Sequence, residues 1–356
     1  MCTRPPVKLD MLKFQFPQSF ACPFPDYSQV TNSSNQKNVK ILSCQLLLPL
    51  LILSSEPVFA GASIQVIENK NSVTLLKKNK PILRYLKQPS PEAKKHSPYY
   101  SRTGYIHPLY SPNGKIITGD YAVDHPHQHG LFFAWTKSSF RGDKTEFWNQ
   151  HKKLGDIRFH RFLGKKEDMN SLSLKFEQVF TTGKDSDESI IRETWTIKVP
   201  KKEQPYFQFD LISSQACATK DPLVIEVNHY GGMAVRGNDQ WLKLDKQEKP
   251  LGQMLTSDGK NRENGNHSRP RWVAMYGPVD GEICGVVIMN HPDNFRFPQW
   301  VRLHPSKPYF VFAPMVEKSF VIQPGMPYIS KFRVLLYDGT PDHGVIGGSW
   351  KEWIKN

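Results

Sequence analysis

The stretch Ser171-Leu172-Ser173-Leu174-Lys175-Phe176-Glu177-Gln178-Val179-Phe180 decides the fold class. Apolar and polar side chains alternate along it, and successive side chains of a β-strand point to opposite faces of a sheet. One face is therefore apolar and the other polar, which is typical of an antiparallel strand with one face in water. Residues 193–199 repeat the pattern. The sequence thus favours antiparallel sheets over helices or a parallel sheet.

Short apolar runs between Pro, Gly, Asn and Asp residues recur from residue 64 onward, and they predict about fourteen strands. A short helix is predicted only near Trp350, Trp353 and Ile354, and residues 87–105 and 253–270 are predicted to be long loops. We therefore expect an all-β fold with few helices, built as one large two-sheet antiparallel sandwich. The predicted strands are residues 64–68, 72–76, 130–135, 156–163, 171–180, 190–199, 206–213, 223–229, 241–244, 272–276, 283–289, 309–313, 320–323 and 329–337.

The N-terminal part differs from the rest in composition. Residues 1–38 are polar and Pro-rich, so we expect them to be unstructured, and they read as sequence upstream of the true start. Residues 39–60 are predicted to be a signal peptide, because a basic segment precedes an apolar run that ends in small residues. The alternative is a short buried or anchoring helix. Residues 61–356 are then a single β-sandwich domain, secreted or periplasmic, with no integral membrane span after processing.

The number and distribution of charged residues limit which kinds of partner the protein is expected to bind. The 356 residues carry 47 Lys plus Arg against 33 Asp plus Glu, a net charge of +14. The basic residues form no run of five or more and the chain is predicted to be exported, so we expect no nucleic-acid partner. An acidic glycan or an anionic envelope surface stays open. Cys217 and Cys284 permit one disulfide. No cysteine pair has metal-site spacing, no cofactor is predicted, and the oligomeric state is left open.

The densest polar cluster is Asp124-His125-Pro126-His127-Gln128-His129-Gly130, directly before an apolar strand. Three histidines at alternate positions share one side of an extended segment, which suits metal ligation or the lining of a polar pocket. Pro126 disfavours a helix here. The alternative is a loop of hydrogen-bonded imidazoles that caps a sheet edge.

Two further clusters contain candidate residues. In Glu226-Val227-Asn228-His229-Tyr230-Gly231-Gly232, Glu226 and His229 fall on opposite faces of a strand, and the glycines allow either a bulge or close approach of a ligand. The other cluster is residues 290–300, which includes His291 and Arg296. Arginines suit forked hydrogen bonds to carboxylates or sugar hydroxyls. Tryptophans either stack on sugars or fill the core; the candidates are Trp135, Trp148, Trp272 and Trp300.

An ordered series of motifs from about residue 64 to the C-terminus resembles the family of secreted proteins named methane oxygenase PmoA-like. This chain has Gln128-His129-Gly130 where that family usually has His-His-Arg. The family name points to a membrane subunit with several spanning helices, which this sequence does not encode. The resemblance implies instead a galactose-mutarotase-like β supersandwich. The matching segments are residues 105–114, 124–135, 230–237, 255–262, 271–272, 291–299, 312–314 and 338–339.

These residues lead to a first hypothesis, a carbohydrate-active enzyme of the epimerase, lyase or hydrolase type that acts on a glycan or small sugar. His127 and His229 are the predicted acid and base, Asp124 orients an imidazole and Glu226 is held in reserve. Predicted substrate-binding residues are His107, His125, His129, Arg236, Arg262, Arg271, His291 and Arg296.

Two alternatives remain. The first is a non-catalytic glycan-binding or envelope protein that uses the same pocket for recognition only. The second is a metal-dependent oxygenase with His125, His127 and His129 as ligands.

Overall fold

A computed structural model describes residues 64–183, 186 and 188–355. The predictions for residues 1–38 and 39–60 lie outside these residues. Within the described part of the chain, no helix is both long enough and apolar enough to cross a membrane.

The described residues form twenty-two strands, one α-helix and four short 3₁₀ turns. The helix, α1, is His343–Trp353, and the turns are Pro91–Lys95, Pro98–Tyr100, Gln150–Lys152 and Asp239–Leu242. The strands are β1 Ile64–Glu68, β2 Ser72–Lys77, β3 Lys80–Leu86, β4 Tyr105–Leu109, β5 Asp120–Ala122, β6 His125–His129, β7 Leu131–Ala134, β8 Ser138–Phe140, β9 Asp143–Thr145, β10 Asp156–Glu167, β11 Ser171–Thr181, β12 Ser189–Pro200, β13 Phe207–Cys217, β14 Leu223–Ile225, β15 Gly232–Arg236, β16 Gln253–Thr256, β17 Trp272–Val279, β18 Glu282–Asn290, β19 Trp300–Leu303, β20 Tyr309–Ala313, β21 Phe320–Ile322 and β22 Tyr328–Asp338.

Two eight-stranded antiparallel sheets dominate the structure. The front sheet has the order β1-β2-β3-β4-β7-β15-β20-β19, and the back sheet has the order β10-β11-β12-β13-β22-β18-β17-β16. A four-stranded sheet, β21-β14-β8-β9, and the hairpin β5-β6 complete the fold. The predicted all-β class with large antiparallel sheets is therefore confirmed.

Aromatic side chains fill the space between the two large sheets. Tyr85 of the front sheet stacks on Phe176 of the back sheet with ring centroids 3.9 Å apart. Phe312 and Phe332 make a second contact between the sheets, at 5.8 Å. Burial of such side chains is the main favourable term in folding.

The alternation that predicts β11 and β12 also carries one polar residue from each strand into this core. Gln178 lies on the same face of β11 as Phe176, opposite Glu193 of β12, and neither side chain is exposed. Gln178, Ser213 and Gln215 all donate hydrogen bonds to the Glu193 carboxyl group. Burial raises the pKa of Glu193. The Glu193 carboxyl group thus receives three hydrogen bonds in the core, while Oε1 of Gln178 has no partner among the described residues.

The structure corrects several expectations. Residues 241–244 are not a strand: Trp241 belongs to a 3₁₀ turn and is fully buried, because Gly237, Gly252 and Gly277 leave room for its ring. Residues 253–270 contain a strand, β16, and residues 87–105 contain two 3₁₀ turns. The predicted strands also lack β3, β4, β5, β6, β8, β9, β15 and β19. The predicted C-terminal helix is present as α1, while Cys217 and Cys284 are both free thiols.

Gly130 joins hairpin β5-β6 to the front sheet. A Cβ atom there would lie 2.0 Å from the carbonyl oxygen of Ile106 and 2.9 Å from Cβ of His107. The backbone of Gly130 also donates to Gly119 and accepts from Arg236, at 2.9 and 2.8 Å. Only glycine lets the hairpin lie this close to β4.

We expect Gly130→Ala to lower the free energy of unfolding by about 3 kcal/mol, because the clash is with backbone that has little freedom to move. Urea denaturation measures the change. Gly348→Ala is the matched control: it lies in α1 with nothing within 4 Å of its Cβ, and it should raise stability by about 0.5–1 kcal/mol. Equal effects of the two substitutions would contradict this packing argument.

Candidate functional site

The site lies on the face of the front sheet that points away from the back sheet. Phe312 contacts the back sheet, so Tyr309 and Val311 point to the outer face of β20 by strand alternation. Register places Arg236 opposite Tyr309 and Arg302 opposite Val311. The outer face of β15, β20 and β19 therefore presents a tyrosine between two arginines.

Hairpin β5-β6 covers part of this outer face. Register pairs Asp120 with His129 and Ala122 with His125. Because β6 is extended, His125, His127 and His129 lie at alternate positions on one side of the strand. The sequence pattern His-Pro-His-Gln-His thus places three imidazoles along the sheet surface.

A buried ion pair fastens the hairpin to the sheet. Nη2 of Arg236 donates to Oδ1 of Asp124 at 2.7 Å and to Oδ1 of Asp239 at 3.1 Å, and Nη1 donates to Oε1 of Gln128 at 3.0 Å. The Arg236 side chain is not exposed. Burial alone would raise the pKa of Asp124, but Arg236 holds that pKa well below its usual range. Asp124 is therefore a carboxylate across the whole physiological pH range.

His129 and His107 form an inner layer beneath the hairpin. The His129 ring is fully buried, and its Nδ1 donates to Oδ1 of Asp120 at 2.8 Å. Tyr105 donates to the other Asp120 oxygen at 3.0 Å, while Nδ1 of His107 lies 3.0 Å from Oγ1 of Thr118. Burial is the largest influence on both histidines and lowers the pKa of each. These two predicted substrate-binding residues therefore support the hairpin from below.

Four imidazoles form the outer layer. The His125 ring centroid lies 5.4 Å from that of His127 and 6.3 Å from that of His304, and the His127 centroid lies 5.8 Å from that of His151. Tyr309 is 5.1 Å from His304 and 6.4 Å from His125. Elements far apart in the chain thus bring these rings together.

His125 and His304 are oriented in opposite ways. Nδ1 of His125 lies 3.1 Å from Oδ2 of Asp124, without the alignment of a hydrogen bond. The adjacent carboxylate favours a proton on Nδ1, which leaves Nε2 as the base. Nδ1 of His304 accepts from the backbone amides of Ser306 and Lys307, at 3.2 and 3.0 Å. The neutral His304 ring therefore carries its proton on Nε2, as a donor.

Positive charge surrounds the outer imidazoles. Burial, followed by the effect of His125, lowers the pKa of His127 to about 3. Burial, followed by the charge of Arg302, lowers the pKa of His304 to about 4. Both rings are therefore neutral at pH 7, able to accept or donate one hydrogen bond at each nitrogen.

A loop from the back sheet closes the other side of the cleft along edge strand β19. The backbone amide of His267 donates to Val301, and that of Val301 donates to Ser268, both at 2.9 Å. The loop brings the ring centroid of His267 to 6.4 Å from that of His229. It also places Arg262 beside the turn after His304, with Nη1 of Arg262 3.5 Å from the carbonyl oxygen of Pro305.

His229 and Glu226, predicted as base and reserve carboxylate, are exposed side chains outside the imidazole group. The His229 ring contacts Tyr230 and His267, with centroids 4.8 and 6.4 Å away. Its pKa is lowered by partial burial and by Arg302. The structure thus places His229 at the rim near Arg302, and it places Glu226 next to Lys137, to which its backbone amide is bonded.

Three other predicted binding residues lie away from the cleft. Arg271 packs over Trp350 of α1 at 5.3 Å, and His291 meets Trp353 at 4.7 Å. Arg296 donates to the carbonyl oxygens of Pro314, Lys318 and Ser319. These side chains hold α1 and a loop in place. The motifs that contain them therefore do not contribute to the imidazole cleft.

Other residues of the cleft escaped prediction: His151, Arg302, His304, Lys307 and Tyr309. They come from a 3₁₀ turn, from β19 with the turn that follows it, and from the first residue of β20. Of the tryptophans, Trp148 is only 1% exposed and packs against Phe132 and Tyr230 at 4.8 and 5.3 Å. Trp300 is half-buried on the outer face of β19, two residues before Arg302.

The three histidines considered as metal ligands are not gathered at one point, because His129 is turned toward Asp120. Among the residues that the structure describes, no group of three His, Cys, Asp or Glu side chains is placed to hold a metal ion. A cavity of about 1250 Å³ lies elsewhere, over β2 and β3 and under the first 3₁₀ turn. The imidazole cleft is where the titratable side chains converge.

Residues 72–351 match the family described as "Family of unknown function (DUF6807)", and the chain belongs to that family. No curated protein matches it. Among solved structures, a crystal structure of a proposed mutarotase from Salmonella typhimurium is 9% identical. The match covers 78% of this chain and 94% of that chain, with a TM-score of 0.32. That likeness is too distant to assign chemistry here, and the resemblance to PmoA-like proteins stays a prediction.

The lowered pKa values of His127 and His304 make stability depend on pH. Between their ordinary value of 6.5 and about 4, the unfolded chain binds protons that the folded protein does not. The free energy of unfolding should therefore fall as pH drops through this window, by at most about 1.4 kcal/mol per pH unit for each ring.

Urea denaturation at pH 7, 6, 5 and 4 measures this slope. His127→Gln and His304→Gln should each flatten it, and the same change at the exposed His160 is the control for loss of an imidazole. Slopes as steep as the wild type in both cleft variants would show that these rings are protonated in the folded protein.

Proposed function

We propose that this DUF6807 protein is a secreted or periplasmic carbohydrate-active enzyme whose cleft carries out proton transfer on a sugar or glycan, in an epimerase, lyase or hydrolase type of reaction. The observation that carries the proposal is the opposed orientation of His125 and His304. One imidazole has a carboxylate at Nδ1, and the other has two backbone amides there. The first is set up to accept a proton and the second to donate a hydrogen bond to an oxygen that gains negative charge.

The proposed roles differ from those expected from sequence. His125 is the proposed base instead of His127 or His229, because Asp124 stabilises the imidazolium that forms when His125 takes a proton. His127 lacks such a carboxylate, and a group with a pKa of about 3 is a weak base at neutral pH. His229 is exposed at the rim, so His304 takes the second role, as a hydrogen-bond donor to the oxygen that gains negative charge.

A proton-transfer step follows from these roles. Nε2 of His125 takes a proton from a carbon or hydroxyl group of the sugar and becomes an imidazolium beside Asp124. The negative charge that develops lies on a sugar oxygen, where the neutral Nε2–H of His304 donates a hydrogen bond and stabilises it. His125 then returns its proton to the product, so both rings end the cycle neutral. Each positioned acid or base typically contributes about 10²–10⁴-fold to the rate.

Sugar recognition is supported by side chains of β19 and β20 on the outer face of the front sheet. Tyr309 lies near Arg302 on the outer face, and arginines hold sugar oxygens by forked hydrogen bonds. Trp300 presents a half-buried ring on the same face of β19, which suits stacking on a sugar. A non-catalytic glycan-binding protein would use the same side chains of β19 and β20, but it would not need the opposite orientations of the His125 and His304 rings.

We expect a glycan array to identify ligands of the purified protein and NMR product analysis to reveal a new anomer, an eliminated product or a cleaved bond. His125→Gln and His304→Gln should each lower turnover about 100-fold or more with folding and ligand binding retained. His160→Gln, far from the cleft on β10, should leave turnover unchanged. Binding without turnover in the wild type, or wild-type turnover in both cleft variants, would reject the enzymatic assignment.

The proposed location rests on the apolar run at residues 41–60 that follows Lys37 and Lys40. We expect the protein recovered from its producing cells to begin at Gly61, since signal peptidase cleaves after small residues such as Ala60. Mass spectrometry of the intact protein in the extracellular or periplasmic fraction checks this. Peptides from residues 14–37 in that fraction would contradict it.

A further inference from the structure

Arg262 is a buried guanidinium with almost no partner. Its side chain is 5% exposed, and Nε and Nη2 have no hydrogen-bond partner in the described part of the chain. Nη1 makes one long contact, 3.5 Å, to the carbonyl oxygen of Pro305. Burial alone lowers the pKa of Arg262 to about 10, with no carboxylate acting on it. Such groups in folded proteins are normally paired.

Arg262 is one of several positive charges that act on His304. The charges that act on His304 come from Arg302, Lys307 and Arg262, besides His125, and all of them disfavour its protonation. Arg302 has a buried Nε without a hydrogen-bond partner among the described residues. At the rim, partial burial lowers the pKa of His229, and Arg302, His267 and Lys137 lower it further.

The carboxylate of Asp124, near His125 and His304, already forms ion pairs with other side chains. Asp124 lies on the opposite side of His125, where it binds Arg236 at 2.7 Å and Lys307 at 3.2 Å. The corner of the cleft formed by Arg262, Arg302 and His304 therefore has an excess of positive charge that the described side chains do not neutralise.

We infer that Arg262 and Arg302 form a subsite for the carboxylate of a sugar acid, so that the substrate class of the proposed enzyme is an acidic glycan or a free uronate. This inference rests on the proposed function, because it places the sugar in the same cleft. Arg302 is half-buried and offers its outer N–H groups to the ligand, while Arg262 rotates to supply the second fork. Side-chain rotation of this size is common on binding.

The subsite explains why the cleft holds an unpaired cation. A carboxylate gives Arg262 the charge-assisted hydrogen bonds that it lacks without ligand. A neutral sugar leaves it unsatisfied, so a site of this kind discriminates strongly against the uncharged analogue. The bound carboxylate would lie on the His304 side of the cleft, which leaves His125 to face the rest of the sugar.

Stability without ligand gives the first test. Arg262→Met keeps the side-chain length and removes the unpaired charge, so we expect the Tm of the ligand-free protein to stay equal or rise. Arg296→Met is the matched control, because Arg296 is satisfied by three carbonyl oxygens and its loss should lower the Tm. A fall in Tm for Arg262→Met as large as that for Arg296→Met would show that Arg262 is structural and would overturn the subsite.

Binding gives the second test, with sodium D-glucuronate and D-glucose as paired probes and sodium sulfate at equal ionic strength as the anion control. We expect glucuronate to raise the Tm of the full chain and to bind more tightly than glucose. Arg262→Met should weaken glucuronate binding about 30-fold or more while leaving glucose binding unchanged, and Arg302→Met should weaken glucuronate binding more than glucose binding. Equal binding of glucose and glucuronate, equal losses for both sugars, or a response to sulfate as strong as that to glucuronate would each reject the carboxylate subsite.

These outcomes are separable from the proposed function. If glucuronate binds through the two arginines but no acidic glycan is turned over, the subsite holds and the enzymatic assignment fails. If neutral sugars are turned over and glucuronate does not bind, the enzyme stands and the subsite fails.

Discussion

The ion pair between Arg236 and Asp124 is the interaction on which the cleft depends. Arg236 comes from the centre of the front sheet and is fully buried, while Asp124 precedes β6 at the tip of the covering hairpin. Removing one partner of such a pair leaves an uncompensated buried charge. The pair therefore fixes the hairpin, and with it His125 and His127, at a set position over the sheet. Gly130 at the other end of β6 allows the same close approach.

The electrostatic character of the cleft follows from this arrangement. Arginines and histidines from four separate elements converge on the outer face, and the nearby carboxylates, Asp120 and Asp124, are occupied by His129 and by Arg236 with Lys307. His127 and His304 are thus kept neutral by burial and, to a smaller extent, by positive neighbours. The positive charges that add to the effect of burial on the pKa of His304 also attract an anionic ligand, which links the protonation state of this ring to the proposed substrate class.

The sequence predicts the long strands of the fold because they alternate over many residues. Strands β11, β12 and β22, which hold the back sheet together, are long enough for the period of two to be clear. The short strands β4, β6, β15 and β19 carry the cleft and contain Pro, Gly and charged residues, which hide that period. Their position comes from pairing with neighbours far along the chain, as for β15 between β7 and β20, and this information is not local.

For the site, the sequence indicates the hairpin but not its partners. The alternate histidines after Asp124 point to a shared side of a strand, and that geometry is present. Arg302, Tyr309 and His151 have no motif, because only the sheet register and a 3₁₀ turn bring them to the hairpin. Conversely, His291 and Arg271 sit in motif-like segments, yet they pack against the tryptophans of α1. The central claim is that His125 and His304 present opposite nitrogens to the cleft. Long-range ¹H–¹⁵N NMR of the histidine side chains at pH 7 tests it most directly. Our account predicts a proton on Nδ1 of His125 and on Nε2 of neutral His304. The same tautomer at both rings, or an imidazolium at His304, would contradict it.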